Sequence, residues 1–187
     1  MPKLRPDDLS ARRAEIRAAA RAAFARHGYE GATVRELERA TGRSRGAIFH
    51  HYPDKEALFL ALAEEDAATT AEVVSAGGLI AAMRRLPTID PGWLGVTLEV
   101  SRRLRTDPAF RADWQRRLDA IDRSAAGRLA AAQAAGTVRD DVPVSVLVTY
   151  LRLVYDGLVV HLAAGAADAE LDAVLDLVEQ TVRKDEG

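Results

Sequence analysis

The sequence predicts an all-α fold of nine helices, and three observations support this prediction. Apolar residues make up 48% of the 187 residues, which is enough for a buried core. Aromatic residues make up only 5%, and Ala, Leu and Val dominate the apolar share, which favours helix over strand. Glycine and proline punctuate the chain, and between them apolar residues recur at helical rather than strand spacing.

Composition also excludes several classes of protein. The chain contains no Cys, so disulfides, Cys-based metal sites and a Cys nucleophile are excluded. The N-terminus has no apolar run, and we find no stretch that reaches the roughly 18 apolar residues of a membrane span. We therefore expect a cytoplasmic protein that does not contact a membrane.

Capping residues and glycines delimit the first four predicted helices. Gly28 stands where a C-terminal cap ends the first helix. Thr33 begins a capping-box pattern that starts the second, and Gly42 ends it after two turns. Ser44 is the expected N-cap of the third helix and Asp54 that of the fourth. These four helices are expected at about residues 9–27, 34–41, 45–51 and 55–75.

Five further helices follow, at about residues 79–86, 93–105, 108–135, 143–164 and 168–184. A Gly-Gly pair at residues 77–78 precedes the first of them, and an Asp-Pro pair at 107–108 starts the third. That third helix has one apolar stripe opposite a charged face. The helix at 143–164 is apolar almost all the way round, so we expect it to be buried on every side. A small domain rarely needs such a helix unless a partner covers one face, which favours a homodimer through about residues 143–184.

Charge is distributed unevenly along the chain. Residues 1–55 contain 12 Lys and Arg against 7 Asp and Glu, whereas residues 56–187 contain 14 against 21. This asymmetry favours a basic N-terminal unit with an anionic partner and an acidic body with another role. Mixed charge on ordinary helix surfaces is the alternative explanation.

Two short helices joined by a tight turn that contains glycine are typical of a helix-turn-helix motif, and residues 33–59 have this pattern. Leu37 and Ala40 on the first helix and Ile48 on the second are the expected apolar contacts. The N-terminus of the second helix attracts phosphate, Arg45 can bind a guanine edge or a phosphate, and Ala47 can touch a thymine methyl. The residues expected at double-stranded DNA are Thr33, Arg43, Ser44, Arg45, Gly46, Ala47, Phe49, His50, His51, Tyr52 and Lys55. Among them His50, His51, Tyr52 and Lys55 are expected on flanking phosphates.

These residues resemble the DNA-binding region of the TetR family of transcriptional regulators, over about residues 9–66. The matching positions run from Thr33 to Leu58. Two positions depart from the pattern, since Glu38 stands where the family usually has Ala and Arg43 where it usually has Val. The segments GAIFHHYPDKEALFLALAEED and SRRLRTDPAF further resemble the aconitase-repressor-like branch found in actinobacteria. The resemblance implies a homodimeric repressor whose C-terminal domain binds a small ligand and thereby releases DNA.

The C-terminal part of the chain contains fewer polar residues whose spacing suggests a binding site. Arg152 and Asp156 lie four residues apart on the apolar eighth helix, and Glu99 has a similar spacing to Arg102 or Arg103 on the sixth. One interpretation is a structural or interfacial ion pair. The other is an effector site for a polar or anionic metabolite, in which arginines bind a carboxylate and Glu99 or Asp156 holds an accompanying divalent cation.

An apolar effector pocket is the alternative to a polar one. The aromatic residues that would line it are Trp93, Trp114, Tyr150 and Tyr155. Since aromatic residues are scarce in the chain, we favour the polar or anionic ligand.

We predict a ligand-responsive transcriptional regulator, with a DNA-binding domain at residues 1–53 and a ligand-binding and dimerisation domain at 54–187. The start of the fourth helix, to about residue 66, accompanies the first domain. An all-helical enzyme is disfavoured because the sequence has no Cys, no His and acid cluster at metal spacing and no Gly-rich phosphate loop. We expect no required cofactor apart from the small-molecule effector. A helical interaction module without sequence-specific DNA binding is the remaining alternative.

Overall fold

The computed structural model describes residues 6–99, 101–166 and 169–184, and for residues 6–9, 101–103 and 117 it describes the backbone alone. This part of the chain is helical and contains no strand apart from one isolated bridge between Val138 and Arg183. The all-α prediction is therefore confirmed. The helices are α1 (Pro6–Gly31), α2 (Val34–Thr41), α3 (Arg45–Phe49), α4 (Lys55–Arg85), a short 3-10 helix (Leu86–Thr88), α5 (Pro91–Glu99), α6 (Ser101–Thr106), α7 (Pro108–Ala134), α8 (Val144–Ala163) and α9 (Leu171–Val182).

The helices are divided differently from the prediction. The break expected at residues 77–78 is a kink inside α4, because Gly78 takes φ 81° and ψ 176°. Arg128 of α7 donates to the carbonyl of Ser75 over 3.2 Å, so a backbone acceptor at the kink has a side-chain donor. The single helix expected at 93–105 corresponds to α5 and α6, which lie on either side of residue 100, a position outside the described residues. The expected start of the last helix, Asp168, lies outside the described residues, and α9 begins at Leu171.

Two hydrophobic cores hold the helices together. The first core joins α1, α2, α3 and the start of α4 to α5 and α7; it consists of Ile16, Ala20, Ala23, Phe24, Tyr29, Ala32, Leu37, Ile48, Tyr52, Leu58, Phe59, Leu62, Trp93, Val96 and Phe110. The second core joins the second half of α4 to α7, α8 and α9; it consists of Val74, Leu79, Ala82, Met83, Leu86, Leu94, Ile121, Ala125, Leu147, Leu151, Leu158, Leu162, Leu175, Val178 and Val182. Helices α4, α5 and α7 contribute to both cores, so the predicted domain boundary near residue 53 stays a prediction.

Helix α8 is not buried on every side within one chain, so that prediction is wrong for the protomer. Its buried positions are Leu147, Leu151, Leu158 and Leu162, which face the second core. On its other side Val146, Leu153 and Val160 are 52%, 67% and 52% exposed. Among the described helices, α8 alone is also long and apolar enough to cross a membrane by length and composition. The sequence prediction did not include it, because Arg152 and Asp156 interrupt its apolar residues. The same composition suits a helix with one face in a core and an apolar face left open.

Candidate nucleic-acid interface

The N-caps predicted for the helix-turn-helix are present, but the reciprocal half of the predicted capping box is not, because the Glu36 carboxylate accepts from Arg39 and the Thr33 N–H donates to the Gly31 carbonyl. Thr33 has extended backbone angles and its hydroxyl accepts from the Glu36 N–H over 3.3 Å. Gly42 ends α2 with φ 63°, a left-handed conformation that favours glycine. Ser44 begins α3, and its hydroxyl accepts from the Ala47 N–H over 3.4 Å. Local sequence therefore builds the helix, the turn and the second helix.

The packing between α2 and α3 depends on fewer residues than expected. Leu37 and Ile48 are fully buried in the first core, as predicted. Ala40 is exposed, so its predicted role in this contact is wrong. Positions three apart share one face of a helix, which is why the spacing predicted this contact, but Ala40 lies in the last turn of α2 and is left exposed there.

The N-terminus of α3 presents an open surface. Ser44, Arg45, Gly46 and Ala47 are all exposed, and a Cβ placed on Gly46 would meet nothing within 4 Å. The Arg45 guanidinium makes no ion pair with any side chain that the structure describes. A double helix can therefore approach this part of α3 without displacing protein groups.

The two departures from the family pattern have partners inside the protein. Glu38 accepts the backbone N–H of Arg45 over 2.6 Å, so its carboxylate ties α2 to the first residue of α3. Arg43 donates to Glu15 of α1 over 2.7 Å. Since Glu15 is 64% exposed, this ion pair is a weak one that a phosphate can replace.

His50 and His51 lie at the C-terminal end of α3, with ring centroids 5.2 Å apart. His50 is exposed and His51 is half-buried. Burial lowers the pKa of His51, and the positive charges of His50, Arg13, Arg12 and Arg43 lower it further. The charges that contribute to this pKa shift after burial are all positive, and they lie on the face that we expect to meet DNA.

Arg12 and Arg13 were missed as candidates for this face. They belong to a run of basic residues on the first helix. Their position on that helix, rather than any motif, is the sequence feature that could have predicted them. Arg13 lines a cleft of about 320 Å³ between α1 and α4, together with His51 and the acidic residues Glu64 and Glu65.

Three predicted DNA contacts have partners in the protein interior. Phe49 is half-buried against the first core. Tyr52 is only 8% exposed, and its hydroxyl accepts from Arg17 over 3.2 Å. The Lys55 ammonium donates to the Tyr29 carbonyl over 2.8 Å and lies 4.4 Å from the centre of the Tyr29 ring. These residues support α3 and the start of α4, and contacts between them and DNA stay predictions.

Helix α5 is joined to α1 partly through Asp66 of α4 and partly by direct contacts. Arg21 donates to both Asp66 oxygens over 2.9 and 2.6 Å, and the Trp93 indole donates to Asp66 over 2.6 Å. The Arg21 guanidinium also lies 4.4 Å from the centre of the Trp93 ring. At the other end of α5, Glu99 accepts the backbone N–H of Tyr29 over 2.7 Å.

The structure separates the residues predicted for an effector site. Glu99 contacts α1, whereas Arg152 of α8 donates to Asp122 of α7 over 2.6 Å and lies 3.5 Å from Asp156. Arg152 is 20% exposed, which favours the structural ion pair that the sequence left open. The side chains of Arg102 and Arg103 lie outside the described residues. No group of three potential metal-ligating side chains occurs in the described part of the chain.

The aromatic residues considered for an apolar pocket fall into different cores. Trp93 and Trp114 pack in the first core, and Tyr150 and Tyr155 pack against the second. Burial raises the pKa of Tyr155. A separate apolar cleft of about 440 Å³ lies near the end of α8, and its lining includes Leu86, Pro87, Pro91, Leu162 and Leu171.

Comparison with known proteins agrees with this geometry. A family model of bacterial regulatory proteins, tetR family, matches residues 16–62. The transcriptional repressor AcnR of Corynebacterium glutamicum is 55% identical over 175 residues, covering 92% of this chain and 93% of that protein. The chain belongs to the TetR family. The transcriptional repressor Rv1474c of Mycobacterium tuberculosis is 50% identical, covering 98% of this chain and all of that protein. Relatives named AcnR also confirm the resemblance to the aconitase-repressor-like branch.

Two solved structures have a similar fold. A regulator from Saccharomonospora viridis, solved in complex with choline, has a TM-score of 0.77 and 21% identity, covering 94% of this chain and 100% of that one. Salmonella enterica GusR has a TM-score of 0.72 and 22% identity, covering 91% and 94%. As a TetR-family member the chain is a DNA-binding transcriptional regulator and not an enzyme.

Proposed function

We propose that this regulator is a repressor that binds a palindromic operator as a homodimer, with the N-terminus of α3 in the major groove. The observation that carries the proposal is the open surface of Ser44, Arg45, Gly46 and Ala47, beside His51, whose pKa is lowered by burial and then by surrounding positive charges. Capping at Ser44 fixes where α3 begins, and Glu38 fixes the Arg45 backbone. The relatives named as repressors support the direction of control.

The homodimer is proposed from the apolar face that α8 and α9 leave open. Val146, Leu153 and Val160 recur every seven residues along α8, so they lie on one side of the helix. Val174 and Leu177 of α9 add apolar side chains that are 50% and 64% exposed. Pairing this face with its copy forms a symmetric interface. It places two N-terminal domains, here called the heads, to bind half-sites about 34–36 Å apart, or a multiple of that.

A small-molecule effector is proposed to modulate DNA binding from the C-terminal body. The choline bound to the Saccharomonospora viridis regulator supports the idea that this fold accommodates a small ligand. For this chain we propose a polar or anionic metabolite, with a divalent cation as an optional companion, bound by groups other than Glu99 and Arg152, which the structure separates. A ligand that favours a head spacing unsuited to the operator lowers DNA affinity by its differential binding to the two states. The proposed location is the bacterial cytoplasm, where the operator is.

The proposal is tested by selecting bound duplexes from a random double-stranded DNA pool with the purified protein at physiological salt. A palindromic consensus is the expected result. No enrichment by a folded dimer, with and without added aliphatic carboxylates and Mg²⁺, contradicts sequence-specific binding. The same carboxylates are then titrated into the complex, and release of the selected duplex identifies the effector class.

A further inference from the structure

We infer that Glu99, at the end of α5 in the body, is a positioning residue for DNA binding. Its carboxylate binds the turn at Gly28 and Tyr29, which precedes α2. The position of α5 therefore sets the orientation of α2 and α3. This inference rests on the proposed binding of DNA through α3. It assigns Glu99 a role different from the effector contact that its spacing to Arg102 and Arg103 suggested.

The first step is the break in α1. Gly28 has φ 71° and ψ 174°, so the helix is interrupted there. The next N–H, that of Tyr29, donates to Glu99 Oε2 over 2.7 Å, and the Tyr29 carbonyl accepts from Lys55 over 2.8 Å. A Cβ on Gly28 would come within 2.6 Å of Glu99 Oε1, so the carboxylate lies directly against the turn. The turn is therefore held on one side by α5 and on the other by α4.

The second step is the short connection from this turn to α2. Only three residues separate Tyr29 from Thr33, the N-cap of α2. They are restrained, since Ala32 N–H donates to the Gly28 carbonyl over 3.1 Å and Thr33 N–H to the Gly31 carbonyl over 2.8 Å. No slack in this connection absorbs a movement of Tyr29, so a shift of the turn reaches α2.

The third step is the position of α5 between the two cores. Trp93 and Val96 belong to the first core and Leu94 to the second, so α5 contacts both the head and the body. A Cβ on Gly92 would lie 2.3 Å from the Ala25 carbonyl, so the start of α5 is in close contact with α1. Because α5 touches α1 at both of its ends, a rearrangement of the body that moves α5 is transmitted through Glu99 to the head.

The experiment compares three substitutions at Glu99 with a control. Glu99→Ala removes the acceptor, Glu99→Asp keeps the charge but shortens the side chain, and Glu99→Gln keeps an acceptor oxygen at the same reach. Gln133→Ala is the matched control, because Gln133 donates to the Arg139 and Val142 carbonyls over 2.7 and 2.9 Å and so supports the connection between α7 and α8 rather than α5. Each variant is measured for thermal unfolding, for affinity to the selected duplex, and for amide hydrogen exchange of residues 29–41.

We expect Glu99→Ala to lower DNA affinity about tenfold, equivalent to about 1.4 kcal/mol, and to speed exchange of the Tyr29 amide. Glu99→Gln should retain most of the affinity, and Gln133→Ala should lower the unfolding temperature without weakening DNA binding. Glu99→Asp gives the same direction as Glu99→Ala and replaces it if the alanine variant does not fold.

Three results overturn the inference: a folded Glu99→Ala that binds DNA like the wild type, an equal loss of affinity in Gln133→Ala, or unchanged exchange at residues 29–41. Failure of the wild type to bind any duplex refutes the proposed function instead. In that case the exchange measurement on free protein still tests the contact between Glu99 and Tyr29.

Discussion

Arg45 offers the sharpest test of the proposed DNA face, because its backbone is fixed and its guanidinium is unengaged. Glu38 accepts the Arg45 N–H over 2.6 Å, so the start of α3 does not need to order on binding. The side chain is exposed and has no ion-pair partner among the described residues. Arg43, by contrast, must leave Glu15 before it can bind a phosphate. Arg45→Ala should therefore weaken DNA binding more than Arg43→Ala.

The expected change in the salt dependence of DNA affinity follows from the number of DNA-binding heads in the dimer. Each phosphate that a protein neutralises contributes about 0.9 to the slope of log affinity against log salt concentration. A homodimer has two copies of Arg45, so losing one phosphate contact per head reduces the slope by about 1.8. If Arg45 binds a guanine edge instead, the slope changes little, and the cost is about 1–3 kcal/mol per half-site at one base pair.

The assay is fluorescence anisotropy with the selected duplex between about 50 and 200 mM KCl, the range in which phosphate contacts dominate the salt dependence. Arg116→Ala is the matched control, since it removes the same charge from an exposed position on α7 that pairs with Asp113. Unchanged affinity and unchanged slope in Arg45→Ala would refute the assignment of α3 as the DNA-contacting helix. An equal effect of Arg116→Ala would show that net charge rather than position matters.

Three further predictions concern the dimer, the turn and the pH dependence. Leu153→Glu, at a position 67% exposed in the protomer, should convert the dimer to a folded monomer with weakened operator binding; a persistent dimer in sedimentation contradicts the proposed interface. Gly28→Ala should destabilise the fold by at least about 1–2 kcal/mol in urea unfolding, because φ is 71° and the new Cβ would meet Glu99. Gly46→Ala is the comparison, and it should stabilise the fold by about 1 kcal/mol because Gly46 lies in open space on a helix. Because burial and nearby cations lower the pKa of His51 and a phosphate would raise it, DNA affinity should rise as the pH falls from about 8 to about 6, and His51→Gln should flatten that rise. The same lowered pKa makes folding stability fall as the pH drops below about 6.5, so a free protein whose stability rises there contradicts the assignment.

Local sequence was sufficient to predict the helix-turn-helix. Thr33, Gly42 and Ser44 determine where helices begin and end through contacts within three residues, and such signals are readable without a structure. The all-α class and the kink at Gly78 follow from the same kind of local information. The outcome at Ala40 shows the limit of this reasoning, because helical spacing alone does not say how far a neighbouring helix extends.

Tertiary contacts account for what the sequence did not predict. Tyr29 lies 70 positions before Glu99 and Asp122 lies 30 positions before Arg152, so spacing on one helix could not find these partners, although it did find the ion pair of Arg152 with Asp156. For α8, apolar residues on all sides predicted burial but could not distinguish burial in the protomer from an apolar face open to a partner. Only the packed helices show which side of α8 faces the second core.

The most direct test of the account is amide hydrogen exchange of the protein with and without the selected duplex. The account predicts that binding protects residues 43–51 at α3 and its flanks most strongly, with smaller changes near residues 12 and 13 of α1. Protection confined to the body, or no protection around α3 at saturating DNA, would contradict the claim that this regulator reads its operator through the helix-turn-helix.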